Sequence, residues 1–394
     1  MIFLKTIYYK QKAPLGQFKT INNITKNNVS LTAKGFRGKN ETPPTCYTLI
    51  SNLFNMIRKT VILVLSVIFV FPLFSLLSCN GCKSKKNDND TTKVISNINI
   101  PDFNEDSAYT YIDKQVAFGP RVPNSMAHYR CADYLIAKFK TYSKNVIVQE
   151  SKVKAFDGKI LNFKNIIVSF FPENNNRIFI SSHWDSRPFA DHDPDIKNHN
   201  KPVPAANDGA SGVGVIMEIA RQLSKTPPPI GIDLILFDVE DYGQPEKSDF
   251  PEQEDTWCLG SQYWAKNPHK TGYFAKYGIL LDMVGAENAT FTMEGISMYY
   301  APDIMKKIWD TAVRAGYSDY FLFSKTGEMI DDHLYINKIA KIPTIDIIHR
   351  DSGTPTGFYK YWHTVKDDMN GISKNTLKAV GQTLLIVIYE DVNS

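Results

Sequence analysis

The sequence predicts an α/β fold: a three-layer sandwich in which a mostly parallel, mixed central β-sheet is flanked by helices. Short segments such as IDLILF (232–237) and GILLDM (278–283) are apolar almost throughout, which is typical of strands buried on both faces. These segments alternate with longer stretches of helical periodicity. The composition, 43% hydrophobic and 12% aromatic, is that of an ordinary globular protein.

The alternation runs from Asp102 to the end of the chain without a second linker, so we expect one domain over residues 102–394. Apolar periodicity places its elements in order. The predicted helices are 106–118, 125–142, 211–224, 259–267, 303–316 and 374–391. The predicted strands are 161–171, 178–182, 232–237, 278–283 and 342–348.

An N-terminal signal precedes this domain. Residues 56–78 begin with Arg58 and Lys59, continue as an apolar run and end before Cys79. The segment resembles a bacterial lipoprotein signal, whose terminal cysteine is lipidated, and a polar tether (80–101) follows it. A transmembrane anchor is the alternative, since the run is nearly long enough to span a bilayer. We therefore expect a lipid-anchored protein of the bacterial cell envelope, periplasm-facing or on the outer membrane.

The charge balance changes when the signal is taken into account. Residues 1–55 carry eight Lys/Arg, one acidic residue and no sustained periodicity, so we interpret them as an over-extended, unstructured N-terminus with Met56 as the true start. Ten of the 45 basic residues but one of the 41 acidic residues precede Cys79, which leaves 35 against 40. The net charge of +4 is therefore no indication of nucleic-acid binding.

The five cysteines show no metal-finger spacing. Only Cys131 and Cys258 fall in the predicted domain. An oxidising envelope permits a disulfide between them, but Cys131 lies in an amphipathic helical pattern, and two free buried thiols fit equally well. No disulfide is predicted.

Polar side chains follow the predicted strands or precede the predicted helices. Because ligands bind at the carboxyl ends of strands in such sheets, we expect these side chains to converge. One acidic or histidine residue at such a place is commonly a helix cap or a core residue, whereas a series of them predicts a site. The residues are His183, Asp185, Asp208, Asp238, Glu240, Asp241, Asp282, His349 and His363.

The adjacent carboxylates Glu240 and Asp241 repel each other unless a cation or a proton lies between them. Catalytic zinc takes histidine nitrogen and carboxylate oxygen, typically three protein ligands with one position open. Asp208, Asp241 and His363 can supply that set from different loops. Glu240 would then remain off the metal as a general base.

Seven motifs carry a family resemblance: SSHWDSR, AANDGASG, FDVEDYG, TWCLGSQYW, LLDMVGA, DDHLYINK and YWHT, in this order. Together they resemble the animal-type (type II) glutaminyl cyclases, which share the zinc exopeptidase-like fold of the zinc aminopeptidases, over nearly all of residues 102–394. The resemblance implies one Zn²⁺ per chain, held by Asp208, Asp241 and His363. It also implies Glu240 as the proton-transfer residue, with Asp282 and Asp331 as carboxylates hydrogen-bonded around it.

The resemblance also implies a substrate pocket formed by Trp362 and Phe358, with core packing as the alternative for both. Trp257, at the end of the polar insertion QPEKSDFPEQED, is expected at the pocket entrance. Where the animal enzymes have two glutamates, this chain has Glu240 and Asp241. Aspartate is a competent ligand, so this departure concerns the geometry of the site.

The implied reaction converts the N-terminal Gln of peptides or proteins to pyroglutamate with release of ammonia, by a glutaminyl-peptide cyclotransferase, an acyltransferase. We expect no nucleic-acid partner, membrane contact through the lipid anchor, and a monomer. One rival is a two-zinc aminopeptidase of the same fold, in which His183 and Asp282 hold a second ion, Asp208 bridges, and Asp185 supports. The other is an inactive, membrane-tethered binding protein.

Other polar groups are assigned to the surroundings of this site or to the surface. The segment 192–201 is predicted as a surface loop, with calcium binding as its alternative. His128 and His269 are expected to be solvated, and His333 and His349 to form hydrogen bonds near the site. The small residues of GASGVG (209–214) are expected to permit close packing where a helix begins.

Overall fold

The computed structural model of the protein describes residues 99–391. The predicted signal, Cys79, nearly all of the tether and the segment 1–55 lie outside these residues, so those expectations stay predictions. No helix within residues 99–391 is long and apolar enough to cross a membrane.

The described residues form two β-sheets. The strands are β1 (Asn145–Lys154), β2 (Ile160–Phe170), β3 (Arg177–His183), β4 (Gly231–Phe237), β5 (Gly278–Asp282), β6 (Phe291–Met293), β7 (Phe321–Lys325) and β8 (Thr344–Ile348). The central sheet has six strands in the order β1-β2-β4-β3-β5-β8. β2 pairs antiparallel with both β1 and β4, whereas the pairs β4·β3, β3·β5 and β5·β8 are parallel. The two further strands, β6 and β7, form a small parallel sheet.

Helices cover both faces of the sheet. The helices are α1 (Glu105–Val116), α2 (Met126–Lys140), α3 (Ala210–Lys225), α4 (Leu259–Lys266), α5 (Gly295–Tyr300), α6 (Pro302–Arg314), α7 (Asp332–Tyr335) and α8 (Lys374–Glu390), with a π-helical turn at Ile336–Ala340 and 3₁₀ turns at Ile196–Asn198 and Met369–Gly371. One face is covered by α1, α2, α3, α6 and α8, which pack on the sheet or on one another, and the other face is covered by α4 and α7.

The core is divided between the two faces of the sheet because side chains alternate along a strand. Ile166 and Val168 of β2 contribute to the larger cluster, under α1, α2 and α3, while Ile167 contributes to the smaller one, under α4. Since both faces are covered, β3, β4 and β5 are buried along their whole length. This burial explains their unbroken apolar sequences and confirms the predicted three-layer sandwich.

Every predicted element is present, with ends displaced by a few residues. The elements without a prediction are β1, β6, β7, α5 and α7. β1 alternates between half-buried and exposed positions at the sheet edge and carries the polar sequence NVIVQESKVK, so it lacks the apolar run of a buried strand. The other four have six residues or fewer, too few for periodicity to appear.

Candidate metal centre and active site

The three neighbouring strands β4, β3 and β5 bring the site together at their carboxyl ends. His183 is the last residue of β3, Asp282 is the last residue of β5, and Glu240 and Asp241 follow β4 within four residues. Asp208 precedes α3, and His363 lies in the loop before α8. The side chains of all these residues are buried, and the predicted convergence at this sheet edge is therefore observed.

Asp208, Asp241 and His363 form one compact group, in which one ligand atom of each lies within 4.8 Å of the others. Nε2 of His363 is 3.2 Å from Oδ1 of Asp241 and 3.6 Å from Oδ2 of Asp208. Neither carboxylate oxygen of Asp241, nor Oδ2 of Asp208, accepts a hydrogen bond from any residue in the described part of the chain. Buried anionic oxygens without hydrogen bonds are costly, so this group fits a divalent cation.

A second group shares Asp208 and consists of His183, Asp208 and Asp282. Nε2 of His183 is hydrogen-bonded to Oδ1 of Asp208 at 3.0 Å and lies 3.4 Å from Oδ1 of Asp282. The two groups meet at Asp208, as ligands of a paired metal site would. In the second group, however, the imidazole proton already provides a hydrogen bond to the shared carboxylate.

The charges of this cluster are unbalanced. Burial lowers the pKa of an imidazole, but Asp185 and Asp208 raise the pKa of His183 well above its ordinary value. Burial raises the pKa of Asp208, and the neighbouring charges of Asp241 and Asp282 raise it further. The cluster therefore contains more buried carboxylates than neighbouring positive charges. A metal ion that bound there would displace protons from these groups.

Asp185 shapes the loop that carries the adjacent carboxylates. Its Oδ1 and Oδ2 accept hydrogen bonds from the backbone N–H groups of Glu240 at 3.0 Å and Asp241 at 3.2 Å. The preceding Val239 has φ of 54°, an unusual value for a β-branched residue, which turns the chain sharply after β4. The structure therefore places Asp185 in a supporting position behind the ligands.

Asp208 is positioned through its backbone. The carboxylate of Asp367 accepts the N–H groups of Asn207 and Asp208 at 2.9 and 3.0 Å. Gly209 follows with φ of 97°, and a Cβ there would lie 2.9 Å from the His183 ring, so only glycine fits. A Cβ on Gly212 would lie 2.7 Å from the Leu281 carbonyl, which confirms the predicted close packing of GASGVG.

The buried Arg187 lies behind the proposed metal ligands and contacts the residues that position them. Sequence analysis did not identify this residue. Its guanidinium donates to both oxygens of Asp191, at 2.8 and 2.6 Å, and to the carbonyl of Asp241 at 2.9 Å. Oδ1 of Asp191 in turn lies 3.3 Å from Nδ1 of His363. A carboxylate behind a metal-binding histidine fixes the ring orientation. Both residues lie in the loop RPFAD, which shows no strand-end signal.

Glu240 belongs to a separate group with Cys258 and Asp331. Sγ of Cys258 donates to Oε1 of Glu240 at 3.3 Å, and the backbone N–H of Cys258 donates to the Glu240 carbonyl at 2.9 Å. Cys258 and Cys131 are both buried and do not form a disulfide with each other. Asp332, beside Asp331, is buried as well, and burial together with the Asp331 charge raises its pKa to about 8. Glu240 thus lies next to the ligands in a group of its own.

The pocket beside the ligands is lined with tryptophan. The Trp362 ring stacks on His363 with centroids 3.7 Å apart, and Trp257 lies parallel to His363 at 6.1 Å. Both tryptophans line a cavity of about 390 Å³, whose other wall is the insertion 244–256. Phe358 is fully buried and packs against Trp362 at 4.5 Å, so it supports the pocket tryptophan and is not among the residues lining this cavity.

The expectation that His128 is solvated is wrong. His128 is fully buried, stacks on Trp184 with centroids 4.4 Å apart, and its Nε2 is hydrogen-bonded to Asp238 at 2.9 Å. The carboxylate of Asp238 is therefore bonded to His128 and belongs to neither ligand group. His269 is likewise half-buried and accepts a hydrogen bond from Trp264 at 3.1 Å.

The loop 192–201 combines surface and site positions. The carboxylate of Asp193 accepts hydrogen bonds from Asn198 at 3.0 Å and from the N–H groups of Asp195 and Val365. His192 lies with its ring 4.5 Å from Trp362. Of the two other histidines expected near the site, His333 is buried and hydrogen-bonded to Glu294 at 3.1 Å, and His349 is buried after β8.

The model of peptidase family M28 matches residues 165–388. The chain belongs to peptidase family M28. Two solved structures are 52% identical to it with a TM-score of 0.73, each covering 74% of this chain and 99% of theirs: a Zn-dependent exopeptidase from Parabacteroides distasonis and a Bacteroides thetaiotaomicron glutaminyl cyclase bound to N-acetylhistamine.

Curated relatives of this M28 chain are more distant. Aminopeptidase YwaD of Bacillus subtilis is 27% identical over 61% of this chain, which spans about half (47%) of that protein's length. Glutaminyl-peptide cyclotransferase of Gloydius blomhoffii is 23% identical over 69% of this chain and 78% of its own. The solved Zn-dependent exopeptidase supports a zinc site, and the two glutaminyl cyclases support the resemblance to that family.

Proposed function

We propose that this M28 protein is a zinc-dependent glutaminyl-peptide cyclotransferase, which converts an N-terminal Gln to pyroglutamate and releases ammonia. The observation that carries the proposal is the relation of the pocket to the acid cluster. Trp257 and Trp362 line the cavity and stack on the His363 ring, while Glu240 lies beside the ligand group in its own buried cluster. The solved glutaminyl cyclase that is 52% identical over 99% of its length supports the choice of reaction.

Asp208, Asp241 and His363 would hold one zinc ion. Zinc bound there would supply Lewis-acid polarisation of the substrate γ-carbonyl. We propose one ion, at this group, because the His183 ring of the second group is already hydrogen-bonded to Asp208 Oδ1. Asp185 and Arg187 position the loop of Asp241 from behind.

Glu240 would move the proton. The α-amino nitrogen of the substrate forms a bond to the γ-carbonyl carbon, and the bond from that carbon to the amide nitrogen breaks. Glu240 accepts the proton from the attacking amine and returns it to the departing ammonia, so no water is consumed. The Cys258 thiol and the buried Asp331 surround the carboxylate and restrict its orientation.

The pocket would bind and orient the substrate. The indole N–H of Trp362 is buried without a hydrogen-bond partner among residues 99–391, so it can donate to a substrate carbonyl. The apolar walls exclude water and hold amine and amide in a ring-closing arrangement, which is a large part of the catalytic work when both groups belong to one residue.

The proposal is tested by incubating purified protein with Gln-peptides. We expect stoichiometric ammonia and a peptide otherwise intact. In the E240Q variant, turnover should fall by about 100-fold or more, the scale of general acid–base catalysis. E287Q, which alters an exposed acid at a loop outside both ligand groups, is the matched control. Retained turnover in E240Q would overturn the role of Glu240.

The two-zinc aminopeptidase remains the second candidate because His183, Asp208 and Asp282 form a second ligand group and because the Bacillus relative is an aminopeptidase. Release of free amino acids in place of ammonia would establish it. Metal analysis separates the candidates further, since about one zinc per chain fits the cyclase and two fit the peptidase.

We also propose that the protein is anchored in the cell envelope through a lipid on Cys79 and acts as a monomer on peptides or proteins with N-terminal Gln. The sequence of residues 56–79 supports the anchor. Metabolic labelling with a radioactive fatty acid should mark the wild-type protein and not C79A. Labelling of C79A would refute this anchor.

A further inference from the structure

Asp331, which the proposed reaction places against Glu240, is reached through a loop. Residues 326–330 connect β7 to α7 without helix or strand, and Gly327 and Glu328 within them are exposed. Groups at a catalytic site must be held to within about 0.5 Å of their working position. An exposed loop does not by itself hold a carboxylate that firmly, so Asp331 needs support from a neighbouring element.

Glu294, directly before α5, holds the chain on both sides of Asp331. Its Oε1 accepts a hydrogen bond from the backbone N–H of Met329 at 2.8 Å, and its Oε2 accepts one from Nε2 of His333 at 3.1 Å. Met329 precedes Asp331 by two residues, and His333 follows it by two. These two contacts, the Glu294 clamp, fix the segment 329–333 with Asp331 at its centre.

The side chain of Glu294 is longer than a helix cap requires. Glu294 also accepts the backbone N–H groups of Ile296 at 2.8 Å and Ser297 at 2.7 Å, so it caps α5. Ser, Thr, Asp and Asn, all shorter, are the preferred residues at such a position. A glutamate reaches beyond the cap to the segment 329–333. The clamp therefore gives a reason for a glutamate at this place.

The Glu294 clamp is attached to the central sheet. Oγ of Ser297 donates to Oε2 of Glu294 at 2.7 Å and accepts the N–H of Asp346 in β8 at 3.0 Å. The His333 carbonyl accepts a hydrogen bond at 2.8 Å from the side-chain amide of Asn337, which also donates to a backbone carbonyl of β8. Both sides of the clamp thus end on the same strand of the sheet.

The start of α5 lies directly against the loop that carries Asp331. A Cβ on Gly295 would lie 2.9 Å from the backbone nitrogen of Glu328, and the N–H of Gly295 donates to the Gly327 carbonyl at 3.4 Å. Glu294 is fully buried and belongs to none of the ligand groups found among residues 99–391. Its influence on the site therefore passes through the segment that it holds.

We propose that Glu294 is a positioning residue for the cyclisation, which acts through Met329 and His333 to keep the Asp331 carboxylate against Glu240. The inference rests on the proposed cyclotransferase reaction and adds a residue to it. Glu294 is absent from the metal-ligand groups and from the walls of the tryptophan-lined pocket. Its replacement should therefore lower kcat and leave both KM and the zinc content unchanged.

The test compares E294Q with E218Q in the full-length protein. Glu218 is also fully buried, lies in α3 outside the ligand groups, and accepts hydrogen bonds from Asn104, Arg221 and Gln222. We expect E294Q to lower kcat for a Gln-peptide by about 10–100-fold, the scale of a misplacement of about 1 Å. E218Q should keep the wild-type kcat, and both variants should bind as much zinc as wild type.

Further variants test the clamp independently of Glu294. H333A removes a donor of the clamp and should lower kcat in the same way, whereas H333Q, whose amide N–H can donate to Glu294, should recover most of the loss. D331N should lower kcat by itself. In the D331N background, E294Q should then cause no further loss, because the two substitutions affect the same group.

The outcomes separate the two proposals. A wild-type kcat in E294Q, an equal loss in E218Q, or losses that multiply in the double variant E294Q/D331N would overturn the positioning role while cyclisation itself stands. Failure of the wild-type protein to release ammonia from Gln-peptides would overturn the reaction and, with it, this inference.

Discussion

Replacing Asp191 with Asn tests whether the Arg187–Asp191 pair holds the metal ligand His363 in place. The substitution keeps the size of the side chain and removes its charge. It leaves the Arg187 guanidinium, which is fully buried, facing an amide instead of a carboxylate at 2.6–2.8 Å. It also weakens the contact between Asp191 and Nδ1 of His363, now 3.3 Å long.

The expected magnitude follows from this burial. Breaking a buried ion pair by removing one partner costs about 3–5 kcal/mol. Because the Asp191 side chain is 14% exposed, we expect the lower end of that range. For a domain of this size, 3 kcal/mol lowers Tm by about 6 °C. Loss of an outer partner of a ligand histidine typically weakens metal affinity by about 10–100-fold.

The effect should depend on pH in a defined direction. Burial raises the pKa of a carboxyl group, but the charges of Arg187 and His363 hold the pKa of Asp191 far below its usual range. A depressed pKa stabilises the fold above the pKa of the unfolded chain, about 3.9, and this contribution is lost as the pH falls further. The difference between wild type and D191N should therefore be full at pH 7 and shrink below about pH 4.

The assay is thermal unfolding in EDTA and in zinc, combined with the rate of zinc transfer to a chelating dye. EDTA removes zinc, so the change in Tm in EDTA reports the effect of the ion pair on the fold alone. The rate of zinc transfer to the dye reports how firmly the metal ligands hold the ion. D195N is the matched control, since Asp195 is an exposed acid of the same loop that caps the N–H of Lys197. Equal Tm and equal zinc loss in D191N and D195N would refute the positioning role of Asp191.

Three further predictions concern the base, the pocket and the metal. C258A removes the thiol that donates to Glu240, so kcat should fall about tenfold with KM unchanged, and C258S should recover part of it; an unchanged kcat would exclude this contact from catalysis. In G243A the new Cβ would overlap the Trp257 ring, so KM for Gln-peptides should rise several-fold in steady-state kinetics, and a wild-type KM would contradict the placement of Trp257. Chelation should abolish turnover while the circular dichroism spectrum remains that of the folded protein, and added zinc should restore turnover. Full activity in metal-depleted protein would rule out the metal centre.

Much of the fold and the principal site residues follow from local sequence. Burial on both faces makes a strand apolar throughout, which is how β3, β4 and β5 are recognised. Parallel strands end at one edge of the sheet, so the acids and histidines that follow them could be gathered into one site before any distance was known. Glu240 and Asp241 indicated a functional site because two adjacent carboxylates repel each other unless a cation or a proton lies between them.

Contacts between distant segments were decided only by the tertiary structure. No periodicity or spacing in the sequence indicates three of these contacts. They are the hydrogen bond from Cys258 to Glu240, the Arg187–Asp191 ion pair behind His363, and the burial of His128 against Asp238. They depend on where loops return to the sheet edge and on local turns such as the positive φ of Val239. Periodicity reports which face of an element is buried, whereas the partner across a loop is set by the path of the whole chain.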